Sequence, residues 1–370
     1  MPALFETTAI NGLRLKNRFV RSATWEGMAK EDGASTPQLE KLYADLAAGG
    51  IGLIISSHAY ITQEGQATPW QLGIYKDELI DPLLRLTEAV HQHDCHIVAQ
   101  LAHAGCFTSQ KLTGSAPMVM SIVDEKGKKL HREADTNELM ELPALFAKAA
   151  LRARQAGFDG VQLHAAHGYL LSQSLSPAFN RRDDSYGGSL QNRARLLLES
   201  LSAVRQAVGP TFPILTKINC ADFLDGGSTV EEALQVGHML QDAGIDAIEV
   251  SGGTLISGEL SPIRQKINTE NKEAYFRDAA KRFKEELSLP VMLVGGIRSL
   301  PLAEKLLNEG VADYFSMSRP LIREPGLIKR WQEGDTRKST CVSDNLCNQA
   351  ARSGKGLCCV VEKKKEMATA

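Results

Sequence analysis

Short apolar runs alternate along the chain with longer segments whose apolar residues recur every three to four positions. Eight runs have the length and composition of buried strands, at residues 19–23, 51–57, 96–101, 160–164, 214–219, 247–251, 291–294 and 314–317. Between them, helical periodicity is found at residues 77–92, 137–155, 192–208, 229–243, 274–286 and 301–308, often followed by glycine. Eight repeats of strand, loop, helix and glycine predict a parallel sheet with right-handed crossovers.

The number of repeats favours a closed (β/α)8 TIM barrel, of the α/β class, over an open doubly wound sheet. No GxGxxG motif opens the first helix, as a dinucleotide-binding fold requires. We expect the barrel to span residues 1–332. Residues 102–135 are too long for a loop after strand 3, so we expect an insertion over the barrel mouth that could act as a lid. Residues 333–370 are expected to form a polar, cysteine-bearing C-terminal tail that is solvated and partly disordered.

The charge balance excludes an electrostatic argument for nucleic acid or an anionic membrane, because 42 basic residues face 44 acidic ones. The amino terminus lacks the apolar core of a secretory signal, and no later run is long enough to span a bilayer. Seven cysteines form no disulfide framework, so reduced thiols are expected. These features predict a cytoplasmic protein with a small-molecule partner, and they leave a homo-oligomer open.

A cluster of two imidazoles and a phenol follows the fourth predicted strand: His164, His167 and Tyr169. Imidazole exchanges protons near neutral pH, whereas a phenol with an ordinary pKa near ~10 keeps its proton there. The combination suits reduction of a polarised double bond, and barrel active sites collect at the C-terminal ends of strands. Two other interpretations stay open, a satisfied core histidine pair and a two-histidine metal site. No HExxH motif or nearby cysteine spacing completes a metal site, so we expect no metal.

Polar residues and glycines lie at the ends of four more predicted strands, where a barrel brings them to one face: Gln100, Lys217, Gly295 with Gly296, and Ser318 with Arg319. The glycine pair leaves backbone N–H groups free to approach a phosphate, and Arg319 adds a planar cationic fork. The combination predicts a phosphate-bearing cofactor, although a glycine helix cap or turn is an alternative. Lys217 could instead belong to a salt bridge inside the barrel.

Several stretches of residues 4–330 resemble the old yellow enzyme family of FMN-dependent oxidoreductases: LKNR (15–18), GLII (52–55), QLAHAG (100–105), HAAHGY (164–169), LSP (175–177) and NRRDDSYGGSLQNRAR (180–195). The resemblance implies FMN over the barrel mouth, with Gln100 and Lys217 at the pyrimidine edge of its ring. It implies that His164 and His167 bind a substrate carbonyl oxygen and that Tyr169 donates a proton. The cofactor-binding residues that we expect are Ala23, Thr24, Trp25, His58, Gln100, Lys217, Gly253, Gly295, Gly296, Ser318 and Arg319.

The resemblance also implies hydride transfer from NADH or NADPH and ping-pong reduction of an electron-poor alkene of the enone or enal type. An NADH oxidase or another flavin dehydrogenase of the family is the alternative. Two interpretations from other classes are a Schiff-base lyase that uses Lys217 and a non-catalytic ligand-binding barrel. The stretch at 180–195 is expected to brace the site rather than to take part in chemistry.

Two departures from the family pattern lie in the barrel. Lys217 stands where many relatives carry arginine, which keeps the charge and removes the bidentate geometry. Trp25 stands where relatives often place threonine or cysteine against the flavin.

The tail carries four cysteines, Cys341, Cys347, Cys358 and Cys359, so a four-ligand zinc or iron–sulfur site is an alternative there. Asp344 interrupts the cysteine run that is found in iron–sulfur-bearing relatives, and two adjacent cysteines cannot easily turn both sulfurs to one metal. We therefore expect no metal in the tail.

Overall fold

The computed structural model describes residues 3–123 and 130–369 and contains eight parallel strands closed into a barrel. The strands are β1 (Phe19–Arg21), β2 (Leu53–Tyr60), β3 (His96–Ala102), β4 (Gly160–Ala165), β5 (Ile214–Asn219), β6 (Ala247–Ser251), β7 (Val291–Val294) and β8 (Tyr314–Met317). Each strand pairs with the next, and β8 closes the barrel against β1 with Phe315 opposite Phe19. The predicted (β/α)8 barrel is therefore confirmed.

Seven long helices connect the strands: α1 (Pro37–Ala48), α2 (Ile80–His91), α3 (Thr136–Gln155), α4 (Leu190–Val208), α5 (Val230–Asp242), α6 (Arg277–Glu286) and α7 (Leu300–Asn308). Shorter α-helices span Gln110–Thr113, Leu170–Leu175, Arg319–Arg323, Leu327–Gln332, Leu346–Ala350 and Val360–Thr369, and single turns span Ala3–Phe5, Gln63–Gly65, Asp77–Leu79, Gly105–Phe107, Gly258–Leu260, Glu270–Lys272 and Ala351–Lys355. Capping boxes start α3 at Asp135 and α5 at Thr229. These caps satisfy the free N–H groups of the first turn and fix where each helix leaves the barrel rim.

Inward-facing side chains form layers inside the barrel. The lowest layer is apolar and includes Val98 of β3, Leu215 of β5 and Ala247 of β6. An N-terminal hairpin, Thr8–Ile10 paired with Leu13–Leu15, packs Ile10 and Leu15 into this layer. Two residues further along β3, β4, β5 and β6 the inward positions are polar and buried: Gln100, Gln162, Lys217 and Glu249. The strand period of two therefore places a polar layer between the apolar base and the mouth.

The predicted insertion lies beside the mouth. After β3 it forms the turn Gly105–Phe107, the helix Gln110–Thr113 and a strand pair, Met118–Val119 with Arg132–Glu133. The ring centroid of Phe107 lies 6.4 Å from that of Tyr169. Residues 124–129 of the insertion lie outside the described residues, and a role as a lid stays a prediction.

The tail differs from the sequence-based expectation. Ser339, Ser343, Ala351 and Leu357 are buried, so the expectation of a solvated tail is wrong for this stretch. The backbone N–H of Leu357 donates to the carbonyl oxygen of Glu26, 2.8 Å away, which joins the tail to the loop after β1. A few apolar residues spaced among polar ones are enough to dock the tail against the barrel. The overall composition of the tail is polar, so composition alone did not predict this docking. The division of the chain at residue 332 stays a prediction.

Candidate active site

A cleft opens at the C-terminal ends of the strands, with about 1330 Å³ of empty space including its opening to solvent. It is lined by barrel residues, among them Ala23, Thr24, Trp25, His58, His164, His167, Tyr169, Lys217, Gly296, Ser318 and Arg319, and by tail residues Asn345, Cys347, Asn348, Arg352 and Leu357. Among the described residues that line this cleft, none is aspartate or glutamate. Three cations and no carboxylate make the cleft suited to an anionic ligand.

Eleven of the fourteen predicted site residues thus line one cleft, and three do not: Gln100, Gly253 and Gly295. Gln100 lies one layer below and is buried. Gly253 has a φ of 77°, and a Cβ atom there would lie 2.3 Å from the carbonyl oxygen of Leu260. The loop geometry alone therefore requires glycine at position 253. The roles of all fourteen residues, in catalysis or in cofactor binding, stay predictions.

The histidine pair is held by the backbone beyond β4. His167 has a left-handed φ of 64°, which is unfavourable for a residue with a side chain, and its N–H donates to Oδ1 of Asn219, 3.0 Å away. Its Nε2 lies 2.7 Å from Oγ of Ser251. These two contacts from β5 and β6 keep the ring beside His164, with 5.3 Å between the ring centroids.

Burial determines the charge state of the cluster. Burial lowers the pKa of His164 and of His167 well below the ordinary value, and the nearby charge of Lys217 adds to the effect in both. Burial also raises the pKa of Tyr169 above that of a free phenol. At neutral pH the site therefore holds two uncharged imidazoles and a protonated phenol.

Lys217 takes part in a buried network and also lines the cleft. Its Nζ donates to Oγ of Ser22 at 2.7 Å and lies 3.2 Å from Oε2 of Glu249. Gln162 donates to the same carboxylate at 3.0 Å and accepts from Nε2 of Gln100 at 2.7 Å. Lys217 therefore forms a salt bridge inside the barrel, as the alternative interpretation expected, and it also lines the cleft. A Schiff-base nucleophile must be the neutral amine, whereas Lys217 is engaged by a carboxylate and a hydroxyl.

Arg319 lines the cleft just beyond the end of β8. It begins the helix Arg319–Arg323, and its guanidinium donates to the carbonyl oxygen of Arg264 and to Oδ1 of Asn345, both at 2.7 Å. Gly296 lies beside it with a φ of 78°, and a Cβ atom there would lie 2.9 Å from the ring of Tyr275. A side chain at position 296 would therefore collide with Tyr275, which also lines the cleft.

The residues fit FMN, which is a phosphate ester joined to a planar polar ring. Four buried polar atoms of cleft residues have no hydrogen-bond partner within the described residues: Nε1 of Trp25, Oγ1 of Thr68, Nδ1 of His164 and Oγ of Ser316. Buried polar groups are normally paired, so these atoms are available to a ligand. Lys217 and Arg319 are the residues that would hold the ring edge and the phosphate.

Sequence reasoning missed several residues of the site. Asn219 and Ser251 end predicted strands, and Glu249 is an acid within an apolar run, so each could have been recognised as inward-facing. Gln71, whose amide lies 2.8 Å from Nδ1 of His58, and the tail residues lie in irregular segments whose position depends on tertiary packing. No periodic pattern marks them.

The His, Cys, Asp and Glu side chains of the described residues are the possible ligands of a metal ion. Among residues 3–123 and 130–369, no group of three or more His, Cys, Asp or Glu side chains is arranged to hold a metal ion. Cys341, Cys347 and Cys359 nevertheless line one small pocket together with Asp344. Within the same ranges no helix combines the length and the apolar composition needed to cross a membrane.

The closed barrel, with three cations and no carboxylate among the described residues that line its mouth, indicates the class: a barrel that binds a phosphate-bearing cofactor beside a His–His–Tyr cluster. Residues 3–338 match the NADH:flavin oxidoreductase / NADH oxidase family. The chain belongs to this family, and membership confirms the expected FMN.

Similar proteins include an NADH oxidase of Thermoanaerobacter brockii, 36% identical over 357 residues, which cover 93% of this chain and 53% of that protein. An NADPH dehydrogenase of Halalkalibacterium halodurans is 33% identical over 325 residues, 87% of this chain and 91% of that protein. The chain spans about half the length of the NADH oxidase and of a metal reductase of Desulforamulus reducens, of which it covers 51%.

Solved structures with the same fold include an old yellow enzyme homologue from Zymomonas mobilis, with a TM-score of 0.78 and 27% identity over 92% of this chain and 96% of that one. A 2-naphthoyl-CoA reductase has a TM-score of 0.86 and 27% identity, and the match covers 95% of this chain and 55% of that chain. The resemblance to old yellow enzymes is therefore confirmed.

Proposed function

We propose that this chain takes a hydride from NADH or NADPH and reduces the carbon–carbon double bond of an activated alkene, such as an enone or enal. One observation carries the proposal: His164, His167 and Tyr169 line the same cleft as Lys217 and Arg319. FMN, when bound, supplies the hydride relay between the nicotinamide and the alkene. The residues around it bind, orient and protonate the substrate.

His164 and His167 bind the carbonyl oxygen of the substrate. A neutral imidazole carries one N–H group, and Nδ1 of buried His164 has no partner among the described residues. Negative charge grows on the carbonyl oxygen as hydride reaches the β-carbon. Fixed N–H donors stabilise that charge more in the transition state than in the ground state, which lowers the barrier.

Tyr169 donates the proton that completes the reduction. Burial keeps its hydroxyl protonated at neutral pH because the phenolate is poorly solvated there. Its ring lies 4.6 Å from that of His164, centroid to centroid, so the proton donor is beside the oxygen-binding group. Proton transfer to the α-carbon gives the saturated product.

A rapid-mixing experiment tests the proposal. Under anaerobic conditions, NADH or NADPH should bleach the flavin colour of the purified protein, and an enone should restore it. Parallel double-reciprocal plots would support the ping-pong order, since one cleft serves both partners in turn. Tyr169→Phe should slow the alkene step strongly and leave the nicotinamide step near the wild-type rate.

The second candidate is an NADH oxidase, which is favoured by the 36% identity to a protein of that name. The same experiment distinguishes the two. Restoration of colour by dioxygen, with no response to a panel of enones and enals, would replace the ene-reductase proposal with the oxidase. A colourless protein that binds no flavin would overturn both.

We also propose a cytoplasmic location, since all seven cysteines are outside disulfides and reduced thiols persist in that compartment.

A further inference from the structure

His58 lies next to the proposed proton donor, Tyr169, and is not explained by cofactor binding alone. Nε2 of His58 is 3.3 Å from the hydroxyl oxygen of Tyr169. On the other side of the ring, Nδ1 lies 2.8 Å from Nε2 of Gln71. The imidazole therefore bridges Gln71 and Tyr169.

The amide of Gln71 is held in one orientation by the backbone of its own loop. Its Oε1 accepts hydrogen bonds from the N–H groups of Ala67 at 2.7 Å and Thr68 at 3.3 Å. The NH₂ group consequently faces His58, where it also donates to the carbonyl oxygen of that residue at 3.0 Å. Gln71 is fully buried, which leaves the amide no solvent partner as an alternative.

The orientation of Gln71 determines the tautomer of His58. An amide NH₂ group can only donate, so Nδ1 of His58 must be the unprotonated, accepting nitrogen. Burial lowers the pKa of His58 to about 4, and the ring is therefore neutral at physiological pH. A neutral imidazole with an accepting Nδ1 carries its hydrogen on Nε2.

We propose that Gln71 and His58 are positioning residues that direct the hydroxyl proton of Tyr169 toward the substrate. The Nε2–H group of His58 donates to the phenolic oxygen, which leaves the phenolic O–H free to donate into the cleft. With the opposite tautomer, Tyr169 would donate to His58 and withdraw its proton from the substrate. This inference rests on the proposed function of Tyr169.

The same hydrogen bond assists the proton-transfer step. The O–H bond of Tyr169 breaks, a C–H bond forms at the α-carbon of the substrate, and the electron pair of the O–H bond stays on the phenolic oxygen. The Nε2–H group stabilises that phenolate, which burial otherwise makes costly. A proton from solvent, which reaches the open cleft, restores the phenol.

The groups that face His58 do not compete for its proton. His164 stacks nearly parallel to it, with 6.3 Å between ring centroids and 3° between planes, and its pKa is itself lowered by burial. His167 is neutral for the same reason. No carboxylate among the described residues lines the cleft to draw the hydrogen of His58 elsewhere.

Nitrogen NMR of the wild-type holoprotein with ¹⁵N-labelled histidine tests the tautomer directly. We expect a protonated Nε2 and an unprotonated Nδ1 for His58, assigned by comparison with His58→Gln. A protonated Nδ1 would overturn the proposal. This measurement needs no alkene, so it succeeds or fails separately from the proposed reaction.

Gln71→Glu tests the consequence for the reaction, because it should reverse the tautomer with little change of shape. One carboxylate oxygen can still accept from Ala67 and Thr68, while the other accepts from Nδ1–H of His58. We expect the alkene step to slow by about 100-fold, the usual range of a lost general acid, with nicotinamide oxidation near the wild-type rate.

The pH dependence of Gln71→Glu separates a tautomer effect from general damage. The new carboxylate should raise the pKa of His58. Below that pKa the ring carries hydrogens on both nitrogens, so Nε2–H again donates to Tyr169. The rate of the alkene step should therefore recover as the pH falls. Wild type should show no such recovery. Gln63→Glu, an exposed residue of the same loop, is the control and should behave as wild type. An alkene step in Gln71→Glu that is as fast as in wild type at every pH would overturn the proposal.

Discussion

At the scale of single residues, removal from water determines what the imidazoles of the cleft can do. Each of His58, His164 and His167 has its pKa lowered, with burial as the largest cause. A neutral ring offers one donor and one acceptor, so its use depends on which neighbour occupies the acceptor. Gln71 is such a neighbour, with its NH₂ group 2.8 Å from Nδ1 of His58, whereas the hydroxyl of Ser251, 2.7 Å from Nε2 of His167, can donate or accept.

Replacement of either oxygen-binding histidine should weaken substrate binding. We expect His164→Ala and His167→Ala each to lose about 2–4 kcal/mol of transition-state stabilisation, by analogy with oxyanion donors, with FMN content nearly intact. Titration with a phenol, followed by difference absorbance, measures binding, and rapid mixing with an enone measures the alkene step. His238→Ala is the control, because the His238 side chain is 45% exposed on the outer side of α5. Wild-type enone turnover in both variants would contradict the assignment.

At the scale of elements, the barrel assembles one polar network from β3, β4, β5 and β6 and from Ser22 just beyond β1. Glu249 lies at its centre and accepts hydrogen bonds from Ser22 at 2.7 Å and Gln162 at 3.0 Å, beside the ammonium of Lys217 at 3.2 Å. A buried carboxylate this close to Lys217 offsets much of its charge. The network therefore determines how much of the positive charge of Lys217 is felt by a ligand in the cleft.

Removal of the Glu249 charge should make the flavin easier to reduce. In Glu249→Gln the ammonium of Lys217 is no longer offset, so it stabilises the negative charge of the reduced flavin more strongly. A tenfold gain in the affinity ratio of reduced to oxidised FMN corresponds to about 30 mV for a two-electron couple, and we expect a positive shift of at least that size. Spectroelectrochemical titration measures it.

Asp159→Asn is the matched control, because Asp159 is a half-buried carboxylate that binds the backbone N–H of Ile97 at the start of β3. Its midpoint potential should equal that of wild type. An unchanged potential in flavin-loaded Glu249→Gln would show that the carboxylate does not act on Lys217.

Arg319, just beyond β8, should contribute to FMN binding. Arg319→Ala should lower FMN occupancy, because the phosphate loses a charge-assisted contact and Asn345 loses its donor. Flavin per chain after extensive dialysis measures the loss. Arg330→Ala serves as the control, since Arg330 pairs with Glu324 and does not line the cleft. Full occupancy in the dialysed Arg319→Ala protein would refute the phosphate role.

Periodicity predicted the elements that repeat and missed the ones that do not. All eight strands lie where the apolar runs indicated, because each run is buried on both faces of a parallel sheet. The second strand was predicted to end at residue 57, yet it continues through a bulge between Ile55 and His58 to Tyr60. That bulge brings His58 to the cleft. The orientation of His58 depends on Gln71, which no sequence pattern connects to it.

At the scale of the whole molecule, the tail completes the cleft. The loop between β6 and α6 receives it: Nδ2 of Asn345 donates to the carbonyl oxygen of Ile263 at 3.1 Å, and the N–H of Lys266 donates to Ser343 at 3.2 Å. Asn345 then binds Arg319, which itself lines the cleft. The residues that line the cleft therefore come from both the barrel and the tail.

The tail cysteines should carry no metal. Asp344 stands among the thiols of Cys341, Cys347 and Cys359, and Sγ of Cys359 accepts a hydrogen bond from Arg323 at 3.4 Å. We expect anaerobically purified protein to contain FMN without stoichiometric zinc or iron. Elemental analysis referred to flavin content measures this. About one zinc per chain, or several irons with matching sulfide, would contradict the expectation.

Stability should fall in mild acid because neutral buried histidines must be protonated on unfolding. The pKa of His58 is about 4 in the folded protein and near 6.5 when unfolded, so the unfolded state binds more protons between those values. Stability thus decreases as the pH falls, by about 2 kcal/mol from pH 7 to pH 5 for this residue alone. Urea unfolding measures it, with His58→Gln as the comparison. An equal pH dependence in both proteins would exclude His58 as a source.

The contribution of the tail to the cleft wall has a consequence for the lifetime of the holoprotein. A molecule seated between Trp25 and Asn348 is enclosed on one side by residues of the tail rather than of the barrel. The time for which it stays bound should therefore depend on how firmly the tail is docked as well as on the strength of its own contacts.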